Sequence, residues 1–99
     1  MKLLPKEVEV TLPKLYATEN VALKEKMLLV KYFTPDSSWS WYVCEYDKEE
    51  RLFFGFVDGN FPEWGYFSLD ELLDVVGPLG LKIERDLYFS PIKFKDLKL

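Results

Sequence analysis

Between residues 27 and 67, apolar and polar positions alternate with the period of two that marks extended chain. Met27–Thr34 is the first such run, with Leu28, Val30 and Tyr32 alternating with Leu29, Lys31 and Phe33. Pro35-Asp36-Ser37-Ser38 has the composition of a turn, with proline where turns favour it. Trp39–Tyr46 resumes the alternation, which places Trp39, Trp41 and Val43 on one face and Tyr42, Cys44 and Tyr46 on the other. The polar stretch Asp47-Lys48-Glu49-Glu50 closes an antiparallel hairpin onto Arg51–Val57. Asp58-Gly59-Asn60 turns the chain again, and Pro62 keeps Phe61–Glu63 out of a central strand. Trp64–Phe67 forms a short fourth strand.

The period then changes. Ser68-Leu69-Asp70-Glu71 is a capping box, in which the Ser68 hydroxyl accepts from the residue-71 amide and the Glu71 carboxylate reaches back. Leu69, Leu72, Leu73 and Val76 make the apolar stripe of the helix it opens, and Gly77-Pro78 stops that helix. Gly80–Ile83 leads into another extended piece. Ser90-Pro91 is placed to cap a last short helix, Ile92–Leu97, that turns Ile92, Phe94 and Leu97 inward. Before residue 27 the pattern is ambiguous. Pro5 suits a helix start for Lys6–Leu12, yet Val8-Glu9-Val10-Thr11 alternates like a strand. The expected fold is α+β: an antiparallel meander of three to five strands, one well-capped helix, and short terminal helices packed on the sheet. It is one domain, divided into an N-terminal segment 1–26, the meander 27–67, the helix 68–76 and a C-terminal segment 77–99.

Composition narrows the chemistry. The chain has 99 residues and no histidine, which removes imidazole bases, Ser-His-Asp and Cys-His nucleophile systems, and histidine-ligated metals. A single cysteine, Cys44, makes no internal disulfide and no zinc knuckle, and fits a reducing cytosol. It reads as a small buried hydrophobe rather than a nucleophile. No apolar run approaches the roughly 18 residues of a membrane span. No residue set calls for a cofactor or a metal. Asp47, Glu49 and Glu50 lack the glycine and spacing of a calcium loop, and Gly77-Pro78-Leu79-Gly80 lacks the Lys and Ser/Thr of a phosphate loop.

Charge is unevenly spread. The net charge is −4, but residues 34–86 hold twelve acids against Lys48, Arg51, Lys82 and Arg85, between mildly basic ends. The same stretch carries eleven of the seventeen aromatics, from Trp39 to Phe67. An acidic surface repels a phosphate backbone and complements a basic protein surface.

Several runs together resemble the domain of unknown function DUF2958. They are Phe33-Thr34-Pro35-Asp36-Ser37 with Trp39-x-Trp41-Tyr42, Phe53-Phe54-Gly55 to Val57, and Gly65-Tyr66-Phe67-Ser68-Leu69. Gly77-Pro78-Leu79-Gly80-Leu81, Ile83 to Phe89 and Leu12-Pro13-x-Leu15-Tyr16 complete the likeness, which spans nearly the whole chain. The resemblance implies cargo of bacterial and phage mobile elements, near antirestriction and plasmid-maintenance genes, with no activity attached.

The remaining question is what the aromatics do. Trp39, Trp41, Tyr42, Trp64 and Tyr66, with Tyr46, Phe53, Phe54 and Phe56, occupy both faces of the expected strands. Either the terminal segments wrap both faces into a thick aromatic core, or one face keeps exposed rings rimmed by acids. The second arrangement describes a protein-interaction surface, since Trp and Tyr dominate interface hot spots. Asp36, Asp58 and Glu63 lie in the acidic loops, where aspartates also serve their own turns. Glu84-Arg85-Asp86 is either a structural knot, an acid–base carboxylate pair, or an arginine for an anionic ligand. The expected function is that of a small non-enzymatic cytoplasmic protein that binds and modulates a host defence or DNA-processing protein with a basic surface. The alternatives are a single-stranded nucleic-acid binder using the aromatic face and, further off, a carboxylate-dependent enzyme on Glu84 and Asp86. A membrane partner is not expected.

Overall fold

A computed structural model describes residues 1–99 and shows an α+β fold. Five strands form one antiparallel sheet in the order β5-β4-β3-β2-β6: β2 Val30–Phe33, β3 Ser40–Asp47, β4 Leu52–Asp58, β5 Glu63–Ser68 and β6 Glu84–Arg85. A two-stranded sheet pairs β1, Met27–Leu28, with β7, Ile92–Lys93. The helices are short: α1 spans Lys6–Glu9 and α2 spans Leu69–Asp74. No helix is long and apolar enough to cross a membrane.

Both faces of the large sheet are covered by the chain's own ends. Val30, Tyr32, Trp41, Val43, Tyr46, Phe53 and Phe67 turn to one face, beneath Leu3, Leu4, Leu69, Leu72 and Ile83. Tyr42, Cys44 and Phe56 turn to the other, with Leu28, under Phe89, Ile92, Phe94 and Leu97. Complete burial of one such side chain contributes roughly 1.5–3 kcal/mol, so each cover is a large stabilising element. The thick aromatic core is therefore the arrangement adopted.

Four local expectations are corrected. The run 27–34 is not one strand; it breaks at Leu29, whose amide donates to the Val43 carbonyl (2.8 Å). Leu28 accordingly packs on the face opposite Val30 and Tyr32. In β3 the register shifts between Val43, opposite Gly55, and Glu45, opposite Phe54. This bulge at Cys44 reverses the alternation, so Tyr46 joins Trp41 and Val43 instead of Tyr42. The α2 helix starts as expected, with the Glu71 amide donating to the Ser68 hydroxyl (3.0 Å), but it ends at Asp74. Val75 is extended and Val76 bridges to Lys82, because β-branched residues favour a ladder over another helical turn. Leu73 and Val76 are therefore exposed rather than part of the buried stripe. Finally, Ile92–Leu97 is strand β7 followed by a 3-10 turn, Phe94–Asp96, although Ile92, Phe94 and Leu97 do face the core. At the N-terminus the helical alternative holds, over four residues only.

Candidate functional site

Where β3 begins, the sequence places two tryptophans on one face, and α2 has just given way to extended chain opposite them. Trp39 and Trp41 pack ring to ring with centroids 5.7 Å apart. The Trp39 ring also lies on Gly59, where any side chain would collide with it. Val75, Val76, Gly77 and Pro78 form the other wall, with Thr34 and Ser37 at the turn. Together they enclose an open, mainly apolar pocket of about 300 Å³.

Asp36 holds that wall in place. Its Oδ2 accepts from the Leu79 amide (2.7 Å) and the Leu81 amide (3.4 Å). The reversal at 77–81 is closed by the Gly77 amide on the Leu81 carbonyl (2.8 Å), and its tip needs Gly80, whose φ is +85°. A side chain at Gly77 would run into the Asp36 carboxylate. Asp36 thus serves a loop more than forty residues away rather than its own turn. Its Oδ1 is buried without a partner.

The pocket is electrostatically one-sided. Asp36, Asp58 and Asp74 each adjoin a residue that lines it or lies beneath its rings, while Lys82 is the cation across the bridge from Val76.

The other sequence candidates are dispersed. Trp41 and Tyr42 are buried, on opposite faces of the sheet. Trp64 is half-buried among Phe54, Phe56 and Phe94, and Tyr66 is exposed at the outer strand β5. Asp58 is half-buried opposite Ser40, and Glu63 is exposed at the start of β5. Glu84 is exposed on β6, opposite Phe33, and Arg85 lies opposite Tyr32. Asp86 is engaged twice, with Lys31 (3.9 Å) and with the Tyr88 amide (2.9 Å). Of the eleven candidates, the fold brings Trp39, Trp41 and Asp36 to one place and leaves Glu84, Arg85 and Asp86 on the edge strand β6 and just beyond it.

One polar centre is not evident from the sequence pattern. Glu45 is only 3% exposed and, turned by the bulge, accepts from the Tyr16 amide (2.8 Å), the Thr18 amide (3.0 Å) and the Thr18 hydroxyl. Lys26, also buried, donates to Thr18 Oγ1 (2.9 Å) and lies 5.9 Å from the centre of the Phe54 ring. These groups anchor segment 14–26 across the sheet and hold Tyr16 at φ +70°, which a bulky residue seldom adopts. The available signal is a lone carboxylate inside an apolar strand. Strict alternation assigns it to the wrong face.

Comparison with known proteins identifies one family, described as a protein of unknown function (DUF2958), which matches residues 3–94. No curated protein and no solved structure matches the chain.

Proposed function

The chain belongs to the DUF2958 family, which brings no activity with it, and on that premise we propose that it is a non-enzymatic protein-binding module. The observation that carries the reading is the pocket between Trp39, Trp41 and Val75–Pro78, an open apolar hollow flanked by aspartates. The partner contributes an aliphatic or aromatic anchor side chain from a basic surface. Burial of the anchor supplies affinity, and the acidic surroundings steer the approach. In the mobile-element setting that the resemblance implies, a host defence or DNA-processing protein has such a surface. Base stacking on the sheet finds no support, since Phe89, Ile92, Phe94 and Leu97 occupy the face it would use.

Affinity purification from the native host, with and without Val76→Arg, tests the proposal. Val76 is 56% exposed, so the substitution adds charge to the pocket wall without opening the core. A basic protein retained by the parent and lost from the variant is the expected result. Retention unchanged by Val76→Arg, or nucleic acid recovered in place of protein, overturns it.

A further inference from the structure

At one edge of the sheet, β6 pairs with β2 only through Glu84 and Arg85. One more hydrogen bond follows, from the Asp86 amide to the Lys31 carbonyl (2.9 Å), and the chain then turns away. A second pocket, of about 280 Å³, lies where the pairing stops. Glu7 and Thr11 stand on its N-terminal side, Leu29 comes from the break between β1 and β2, and Phe89 and Pro91 come from the C-terminal segment. Arg85 lines it as well.

The state of Arg85 is unusual. Its guanidinium takes part in none of the five ion pairs of the molecule. Its Nε is buried and has no acceptor. The nearby acids do not supply one: Asp86 is committed to Lys31 and the Tyr88 amide, and neither Glu84 nor Glu7 of the pocket wall pairs with Arg85. A guanidinium that no group of the protein engages, lining a cavity, leaves its terminal nitrogens open to an anion. The structural-knot reading of Glu84-Arg85-Asp86 required Arg85 to bridge groups of the protein, and it bridges none.

We infer that this pocket binds a small organic monocarboxylate with an apolar body. The carboxylate sits against the Arg85 guanidinium, whose planar fork suits its two oxygens. The body lies on Leu29, Phe89 and Pro91. The charge inventory favours a carboxylate over a phosphate: Glu7 and Asp86 share the walls, so each added negative charge on the ligand adds repulsion, and Arg85 answers one charge, not two. The volume is at the small end for ligand pockets, which suits a branched-chain or arylacetic acid.

The chain contains only two arginines, Arg51 and Arg85, so its nitrogen–proton correlation spectrum holds two Nε–Hε signals. Arg51 is an internal control, because its Nε already donates to Asp70 (3.1 Å). Loss of a signal in Arg51→Lys assigns the pair. Titration with phenylacetate is expected to shift the Arg85 signal saturably at millimolar concentration and to leave Arg51 in place. Inorganic phosphate is expected to move neither. Backbone shifts around Leu29 and Phe89 follow the Arg85 signal, and in Arg85→Lys their midpoint rises tenfold or more. Absence of a saturable Arg85 shift in the unmodified protein overturns the inference, as does an equal response to phosphate or a midpoint unchanged by Arg85→Lys.

Discussion

Cys44 shows how one residue reports on its surroundings. It is 2% exposed, between Tyr42 and the bulge, and burial pushes its thiol up from an ordinary 9.0 to about 12. The nearby Lys26 ammonium opposes that shift and does not cancel it. In the unfolded chain the thiol ionises near 9; in the folded protein it stays neutral. Above pH 9 the unfolded state therefore binds fewer protons, and stability that is complete below pH 9 is lost as pH rises toward 12. At pH 10.5 the loss from this group is about 2 kcal/mol, at roughly 1.4 kcal/mol per unit. Tyr32 and Tyr46, also raised by burial, act with the same sign. Urea melts of the parent and Cys44→Ala between pH 7 and 10.5 isolate the thiol: the variant is expected to lose about 2 kcal/mol less over that range. Parallel pH profiles for the two proteins exclude a buried thiol.

At the scale of elements, one extra residue in β3 does several things together. The bulge turns Tyr46 into the principal core, where its ring meets Phe53 at 4.8 Å, and turns Glu45 toward segment 14–26. The close crossing of β3 and β4 there depends on Gly55, since any side chain would meet the Tyr42 carbonyl. Glu45 is then the latch of the segment. Glu45→Ala is expected to cost about 3 kcal/mol, because it leaves the part-buried Tyr16 amide and the Thr18 amide and hydroxyl without their shared acceptor. It also frees Tyr16 from its left-handed conformation. Hydrogen exchange reads the outcome directly: the Tyr16 and Thr18 amides lose protection before the strands do. Amides in 14–26 that stay as protected as those of β3 and β4 show that the segment is held by other means.

For the molecule as a whole, the deciding feature is that the two chain ends lie on opposite faces of one sheet. Phe94 carries much of the C-terminal cover, with ring centroids 4.7 Å from Phe56 and 4.9 Å from Trp64. Phe94→Ala is expected to cost about 3 kcal/mol, at the lower end for a buried ring because Phe94 is only half-buried. Iodide quenching of tryptophan fluorescence, weak in the parent, is expected to rise as Trp64 loses its cover. Unchanged stability and quenching exclude this segment as the second layer. The same architecture moves the search for a partner from the open sheet faces to the β2–β3 turn end, where the Trp39–Pro78 pocket lies, and to the β6 edge, where the Arg85 pocket lies.

Much of this organisation is local in origin and legible in the residues themselves. Period-two alternation with turn residues locates β2 to β5, and Ser68 with Glu71 locates the start of α2, because each signal depends on neighbours within a few positions. The α+β class is legible for the same reason, whereas the role of Asp36 is not, because its carboxylate holds the Leu79 and Leu81 amides rather than its own turn. The break at Leu29 and the bulge at Cys44 are not, since each is set by pairing with another strand, β7 and β4, while α2 ends early where the β-branched Val75 and Val76 take up extended chain and bridge back to Lys82. Pairing register decides which face a side chain meets, and a shift of one residue exchanges the faces. That is why Glu45 is a buried latch and Tyr46 a core residue. Whether the aromatic sheet lies open is likewise undecided locally. It depends on residues 1–12 and 87–97 closing over opposite faces, and long-range apolar burial, which leaves no local periodicity, fixes that choice.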